Sequence, residues 1–168
     1  MALDILIVDD EADIRRLIAG ILEDEGYESR EAGDSAEAFE AIRKRQPNLI
    51  ILDVWLQGSE YDGLQILELV RKENPNQQVI MISGHATFDM AVSATKIGAY
   101  DFLTKPFKTD VLLHTVARAL ETEKLRTKNE ELQVLTGGDI IEFAGKSAAA
   151  GQTRQIVARV AQTDSRIL

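Results

Sequence analysis

Short runs of consecutive apolar residues recur in the chain as far as Leu103, and they predict buried strands. Continuous apolar runs of this length are typical of strands covered on both faces, which indicates a parallel sheet packed between helices. One weaker run alternates between apolar and polar residues and favours an edge strand. In chain order, the predicted strands are Ile5–Val8, the edge run Tyr27–Arg30, Leu49–Leu52, Val79–Ile82 and Phe102–Leu103.

Between these runs, apolar residues recur at the spacing of an amphipathic helix. The first helix is followed by Gly26, a suitable C-terminal stop, and the second opens on a pair that resembles a capping box, Asp34 and Glu37. Pro75 limits the third helix, and Gly98 ends the fourth. The helical patterns are Ile14, Leu17, Ile18, Ile21 and Leu22; Ala38, Phe39 and Ile42; Leu64, Ile66, Leu67 and Val70; residues 87–97; and, after a Thr109 cap, Val111, Leu112, Val116 and Leu120.

The alternation of strand and helix patterns predicts one doubly wound α/β domain over residues 1–120. In such folds the carboxyl ends of the strands open onto a shared crevice, and ligands bind there. The functional residues are therefore expected at the strand ends.

After the fifth helix the character of the chain changes. Residues 121–138 are charged and favour a helical linker, which Gly137–Gly138 is expected to end. Within residues 139–168, the pattern predicts a short strand at Ile140–Phe143, a loop, and a helix around Gln152–Val160. A segment this short cannot bury a core of its own, so it is expected to be the truncated start of a second domain.

Composition narrows the class of protein. The formal net charge of −9 argues against nucleic-acid binding by these residues and against binding to an anionic membrane surface. The absence of cysteine excludes disulfides, thiolate catalysis and zinc–thiolate sites. No apolar run approaches the length of a membrane span, and the first residues lack the pattern of a signal peptide. A cytoplasmic protein is therefore expected.

Chemistry-bearing side chains follow four of the predicted strands. Asp9 and Asp10 follow the first, Asp53 the third, Ser83 the fourth, and Lys105 comes shortly after the fifth. Because parallel strands share one carboxyl edge, these groups are expected to meet there. Neighbouring carboxylates repel one another, and Mg²⁺, which prefers oxygen ligands, relieves that repulsion. Asp53 is the predicted nucleophile of a phosphoryl transfer, with Lys105 and Ser83 contacting the phosphoryl oxygens.

Four stretches of the sequence resemble the receiver domain of two-component response regulators. They are Val8–Glu11, Leu52–Val54, Ile82–His85 and Gly98–Phe107, and the resemblance extends from residue 3 to about residue 120. It implies a five-stranded parallel sheet of order 2-1-3-4-5 and a sensor histidine kinase as the partner. It also implies a signalling switch rather than an enzyme, with self-phosphotransfer and slow autodephosphorylation as its only reactions.

The resemblance further implies roles for individual residues. Asp53 is the implied phosphoacceptor, and Mg²⁺ is implied at Asp10, Asp53 and the backbone carbonyl of Trp55, with Asp9 assisting. The other implied site features are the switch residues Ser83 and Phe102, the active-site lysine Lys105, and a cis peptide bond between Lys105 and Pro106.

A homodimer is expected through the face built from the fourth helix, the fifth strand and the fifth helix. Val116, Leu120 and Leu125 motivate this expectation, because they supply apolar surface along the fifth helix and its extension.

Two further features make the resemblance more specific. The turn after the phosphoacceptor, Leu56–Gly63, is two residues longer than usual and lacks the usual proline. Residues 142–168 resemble the first stretch of the AAA+ ATPase domain of sigma-54-dependent regulators. Together these features are most similar to the NtrX branch of the NtrC family, which implies nitrogen regulation. DNA, ATP and sigma-54 polymerase are expected to bind only to the full-length protein.

Other interpretations stay open on the residues alone. Acids before a helix also complement its dipole, so the Asp9–Glu11 cluster has a structural explanation as well. A Mg²⁺-dependent aspartyl phosphohydrolase would share the nucleophile Asp53, but Trp55 stands where such enzymes place a second acid. A flavodoxin-like FMN binder is disfavoured, because the Asp9–Glu11 acids would repel the phosphate.

Overall fold

The computed structural model describes residues 2–147, and of residues 134–147 it describes the backbone alone. Five parallel strands form one sheet in the order β2-β1-β3-β4-β5, which confirms the predicted fold class. The strands are β1 Asp4–Val8, β2 Glu28–Ala32, β3 Leu49–Asp53, β4 Gln78–Ser83 and β5 Asp101–Thr104. The weakest apolar run thus forms an edge strand, β2, as its alternating pattern predicted.

Five helices connect and follow the strands. They are α1 Ala12–Asp24, α2 Ser35–Lys44, α3 Gly63–Glu73, α4 Phe88–Ile97 and α5 Thr109–Ser147. The side chain of Asp34 caps α2 by accepting the N–H of Glu37. The Glu37 carboxylate accepts the N–H of Gly33 rather than closing a reciprocal capping box. A complete capping box opens α3, where Asp62 and Gln65 satisfy each other's backbone N–H groups.

The hydrophobic core lies in two layers, one on each face of the sheet. Alternate residues of the central strands point to opposite faces, so Ile5 and Ile7 of β1 contact one layer and Leu6 and Val8 the other. Helices α1 and α5 cover the first layer, and α2, α3 and α4 cover the second. Burial on both faces explains why the central strands are apolar at every position.

Two residues predicted on buried helical stripes are exposed. Leu17 is 56% exposed and Val111 is 44% exposed. Each precedes the centre of its buried stripe, at Ile18 and Leu112, by one residue, which is about 100° around the helix. The sheet covers only the face centred on the later residue.

The apolar residues that motivated a dimer interface are mostly internal. Val116 is fully buried and Leu120 is 5% exposed, and both pack in the core layer under α1 and α5. Neither residue can contribute to a surface between subunits, so this part of the prediction is wrong. Leu125, in contrast, is exposed.

The C-terminal pattern also differs from the prediction. Helix α5 continues through Gly137–Gly138 and through Ile140–Phe143 to Ser147, so the expected break and the expected strand are both wrong. Glycine inside a helix costs only about 1 kcal/mol relative to alanine, and a four-residue apolar run does not by itself distinguish strand from helix. The chain divides into two compact units after Lys124. The helix predicted around Gln152–Val160 lies outside the described residues.

Among the helices of the described residues, none combines the length and the apolarity that crossing a membrane requires.

Candidate functional site

The strand register brings four chemistry-bearing positions to one edge of the sheet. Val8 is paired with Leu52, so the residues that follow them, Asp9 and Asp53, come side by side at the ends of β1 and β3. In the same way Ser83 of β4 is paired with Thr104 of β5, and Lys105 follows directly. The convergence predicted from the strand ends is therefore present for the two acids and the lysine.

Lys105 is the centre of the ionic contacts. Its Nζ lies 2.8 Å from Asp9 Oδ2, 3.1 Å from Asp53 Oδ2 and 3.6 Å from Glu11 Oε1. Its backbone N–H donates to the Ser83 carbonyl at 2.8 Å, and its peptide bond to Pro106 is cis. Through these contacts, the ammonium group of Lys105 offsets part of the repulsion among the carboxylates.

Three carboxylates form a cluster beside this ammonium group. One oxygen from each of Asp9, Asp10 and Asp53 lies within 4.8 Å of the others. Asp9 and Asp53 are buried, and Asp10 is half-buried, so the cluster is partly open to solvent. A set of carboxylate oxygens with one side open to solvent suits a hard divalent cation that keeps part of its water shell, as Mg²⁺ does. The residues present therefore fit the expected ion.

Backbone N–H groups orient each of the three carboxylates. Glu11 N–H donates to Asp9 Oδ1 at 2.8 Å, Trp55 N–H to Asp53 Oδ1 at 3.3 Å, and Gln57 N–H to Asp10 Oδ2 at 3.3 Å. These donors could not be predicted from the sequence, because a backbone group carries no residue-type signal.

Arg15 supports the cluster from helix α1. Its guanidinium donates to the Asp9 carbonyl at 2.6 Å and also contacts Glu31 at 3.2 Å. This contact was also missed, although an arginine one helical turn after an acid cluster is a signal that could have suggested it.

Burial changes the proton affinity of the central groups. Desolvation, together with the charge of Asp9, raises the pKa of Asp53 from 3.8 to about 6, and the Lys105 ammonium and the Trp55 N–H only partly oppose this. Burial would lower the pKa of Lys105, but its hydrogen bonds to Asp9 and Asp53 and their charges outweigh that effect and raise it. Lys105 therefore stays cationic beside acids that are costly to ionise together.

The other predicted site residues make no direct side-chain hydrogen bond to the cluster among the described contacts. Ser83 is fully buried, and its Oγ accepts the N–H of His85 at 3.2 Å. Phe102 is half-buried and packs against the core layer under α2, α3 and α4. Trp55 is 51% exposed. The switch roles of Ser83 and Phe102, and the metal contact of the Trp55 carbonyl, stay predictions.

Gly63, which was not predicted to matter, packs directly behind the central aspartate. A Cβ atom on this residue would lie 2.0 Å from the Asp53 carbonyl oxygen, and its N–H donates to the Val54 carbonyl at 2.8 Å. Only glycine permits this close approach of α3 to the end of β3. The Asp62–Gly63 pair, at the end of the loop between β3 and α3, was the available sequence signal.

Comparison with known proteins places this geometry in a family. The family model of the response regulator receiver domain matches residues 5–117. The nitrogen assimilation regulatory protein NtrX of Azorhizobium caulinodans is 52% identical over 168 residues, covering 100% of this chain and 37% of that protein. The chain thus spans little more than a third of the length of this curated relative.

Two solved structures share the fold. The receiver domain of NtrX from Brucella abortus is 56% identical with a TM-score of 0.69, covering 71% of this chain and 99% of that one. The beryllofluoride-activated NtrC4 receiver domain dimer is 38% identical with a TM-score of 0.67, covering 71% of this chain and 98% of that one. The matched range 5–117 includes the whole carboxylate cluster and Lys105. The predicted resemblance is confirmed: the chain belongs to the family of response regulator receiver domains.

Proposed function

We propose that this chain is a phosphorylation-dependent switch that accepts a phosphoryl group on Asp53 from a sensor histidine kinase. The observation that carries the proposal is the position of Lys105 Nζ, within 3.1 Å of both Asp9 Oδ2 and Asp53 Oδ2, beside three carboxylates. This arrangement presents an acceptor oxygen and a cation on the same side of one crevice. Phosphoryl transfer depends mainly on such positioning and on charge neutralisation.

Asp53 is the most suitable acceptor of the three acids. Asp9 is fully buried, and both of its oxygens are held by 2.8 Å hydrogen bonds, from Lys105 and from the Glu11 N–H. Asp53 retains slight exposure, and its Oδ1 accepts a longer, 3.3 Å hydrogen bond from Trp55 N–H. In the proposed step an Asp53 oxygen forms a bond to phosphorus while the bond from phosphorus to the donor breaks.

The neighbouring residues divide the remaining tasks. Asp10 and Asp53, with the Trp55 carbonyl and with Asp9 assisting, would hold Mg²⁺, which supplies positive charge for the phosphoryl oxygens when bound. Lys105 neutralises a second part of that charge. The Ser83 hydroxyl donates a hydrogen bond to the phosphoryl group, and Phe102 repacks with it. Because Ser83 and Lys105 interact with the phosphoryl group in one state only, phosphorylation shifts the population toward that state.

The output face is proposed to be the surface of α4, β5 and α5, acting as a homodimer interface. Exposed apolar side chains support this choice, since Phe88 of α4 is 82% exposed and Val111 of α5 is 44% exposed. A 38% identical receiver domain forms a dimer in its activated state. Sedimentation velocity with and without beryllofluoride tests the proposal, and a monomer at every concentration in both states would contradict it.

The switch is proposed to act in the cytoplasm on a module outside the described residues. The relative from Azorhizobium is named a nitrogen assimilation regulator and is nearly three times as long as this chain. We infer that the full-length protein carries a sigma-54-dependent ATPase and a DNA-binding part, and that it regulates transcription in response to nitrogen.

Intact mass spectrometry after incubation with acetyl phosphate and Mg²⁺ tests the central step. The wild-type chain should gain the mass of one phosphoryl group, and Asp53→Asn should gain none. An adduct of equal yield on the Asn variant would place the acceptor elsewhere.

A further inference from the structure

The loop between β3 and α3, residues 54–62, contacts the acidic cluster through its backbone. Near its start, the N–H groups of Trp55 and Gln57 donate to Asp53 Oδ1 and Asp10 Oδ2, each at 3.3 Å. The position of this loop therefore sets the orientation of two of the three carboxylates. This loop is also the segment that is two residues longer than the usual family turn and lacks its proline, so something other than proline must hold it in place.

The second half of the loop is fastened to the start of α2 by two serines. The Ser59 hydroxyl accepts the N–H of Ser35 at 2.9 Å and donates to the Tyr61 carbonyl at 2.8 Å. In return, the Ser35 hydroxyl accepts the N–H of Tyr61 at 3.4 Å. The Tyr61 ring then packs edge-to-face on Phe39 of α2, with centroids 6.1 Å apart. We call this set of contacts the Ser35–Ser59–Tyr61 anchor.

The anchor satisfies a backbone donor that lacks a partner within its own helix. Ser35 is the first residue of α2, and the N–H groups of a first helical turn lack partners within the helix. The Asp34 cap is committed to the N–H of Glu37, so it leaves the Ser35 N–H to the Ser59 hydroxyl. Because Ser35 is only 3% exposed, water is poorly placed to replace that hydroxyl.

The anchor and the acidic cluster are joined by a short, packed segment. The Ser59 N–H donates to the Leu56 carbonyl at 3.3 Å, and the Leu56 side chain is 7% exposed in the core layer under α2, α3 and α4. Only one residue, Gly58, separates Ser59 from Gln57, whose N–H contacts Asp10. Displacement of Ser59 would therefore shift the N–H group that orients Asp10.

We propose that Ser59 is a positioning residue for the divalent-cation site. Its hydroxyl holds the loop against α2, and the held loop presents the Gln57 and Trp55 backbone groups that orient Asp10 and Asp53. The inference rests on the proposed function, in which these carboxylates hold Mg²⁺. Ser59 itself would touch neither the ion nor the phosphoryl group.

The test compares Mg²⁺ binding to the 168-residue chain and its Ser59→Ala variant by titration calorimetry, and by fluorescence of Trp55, the only tryptophan. Removing a group that orients metal ligands typically weakens metal affinity by about 10-fold or more, so the dissociation constant of the Ala variant should rise by about 10-fold. Ser59→Thr keeps the hydroxyl and should restore the wild-type constant. Ser93→Ala, which removes the hydroxyl of an exposed serine on α4, is the matched control and should leave binding unchanged.

A folded Ser59→Ala variant with the wild-type dissociation constant overturns the proposal, even if its unfolding midpoint falls, because the anchor would then serve stability alone. Failure of the Thr variant to bind as the wild type does overturns it too, since space rather than the hydroxyl would be limiting. If the Ala variant does not fold, exchange of the Ser35 amide proton in the wild-type chain decides the question. Coupling between the sites is reciprocal, so Mg²⁺ should slow that exchange, and an unchanged rate refutes the proposal.

Failure of the inference and failure of the proposed function give different results. A wild-type chain that binds no Mg²⁺ and gains no phosphoryl group overturns both. A wild-type chain that does both, beside an Ala variant that binds Mg²⁺ equally well, overturns only the role of Ser59.

Discussion

Replacing the central aspartate by asparagine should stabilise the metal-free protein. Asp53 is 4% exposed, and desolvation and the charge of Asp9 make its ionised form unfavourable in the folded state. Asparagine has nearly the same shape and carries no charge. Its amide oxygen can still accept a hydrogen bond from Lys105, which also keeps its 2.8 Å contact to Asp9.

The size of the effect follows from the pKa of Asp53 in the folded protein, about 6, against its ordinary value of 3.8. At about 1.4 kcal/mol for each pH unit between the two values, the ionised carboxylate costs the folded state about 3 kcal/mol. Because the pKa of Asp53 is raised in the folded state, the contribution of its carboxyl group to the free energy of unfolding is fully present below pH 3.8, where the folded and unfolded states are both protonated. It is lost as the pH rises toward about 6, because the unfolded state ionises first.

The assay is urea unfolding followed by far-UV circular dichroism in chelator, from pH 4 to pH 8. At pH 7 the free energy of unfolding of Asp53→Asn should exceed that of the wild type by up to about 3 kcal/mol, and the difference should fall below about 1 kcal/mol near pH 4. Asp24→Asn, a neutralisation of an exposed carboxylate, should stay within about 0.5 kcal/mol of the wild type.

Magnesium should cancel most of this difference. An ion that binds only the folded state adds about 2.7 kcal/mol at a concentration of one hundred times its dissociation constant, and the Asn variant has lost one charged ligand. An Asn variant that is no more stable than the wild type at pH 7 in chelator would refute the reasoning, as would a stability difference that does not change with pH.

Two further substitutions test the packing and the charges of the site. Lys105→Met should destabilise the protein by about 3 kcal/mol or more in urea unfolding, because fully buried Asp9 loses its cationic partner. An unfolding midpoint equal to that of the wild type would show that Lys105 does not stabilise the buried carboxylate of Asp9. Gly63→Ala should destabilise by about 3 kcal/mol or more, because its Cβ would lie 2.0 Å from the Asp53 carbonyl oxygen. Gly20→Ala is the matched control, because a Cβ atom added there would meet nothing within 4 Å beyond the adjacent residues and backbone of its own helix. That substitution should stabilise the protein by about 0.5–1 kcal/mol. Equal effects of the two glycine substitutions would contradict the close approach at Gly63.

Much of the fold was predictable because its signals are local. Ile5–Val8 and Leu49–Leu52 are apolar at every position, which is typical of strands covered on both faces. The acids that follow these runs, Asp9 and Asp53, occupy the carboxyl edge of the sheet for the same reason, since parallel strands in register end together. The placement of the site was thus contained in the chain order of apolar runs and acids.

Other predictions failed because they depend on which elements pack against a helix. Spacing placed Leu17 and Val111 on apolar stripes, but only the position of the sheet decides which part of a stripe is covered. The same spacing assigned Val116 to a dimer surface, whereas the fold uses it in its own core. At Gly137–Gly138, composition predicted a break, and the helix continues.

The amino-acid sequence by itself determined the order of strands and helices, the acidic and basic residues of the site, and the strand ends that carry them. The tertiary structure decided which oxygen contacts Lys105, why the pKa of Asp53 is raised, and how Ser59 reaches the start of α2. The physical reason is the separation along the chain of the residues that determine each property. Apolar periodicity records whether each residue is covered, whereas hydrogen bonds and desolvation depend on atoms that lie far apart in the chain and meet only after the sheet and its loops have packed.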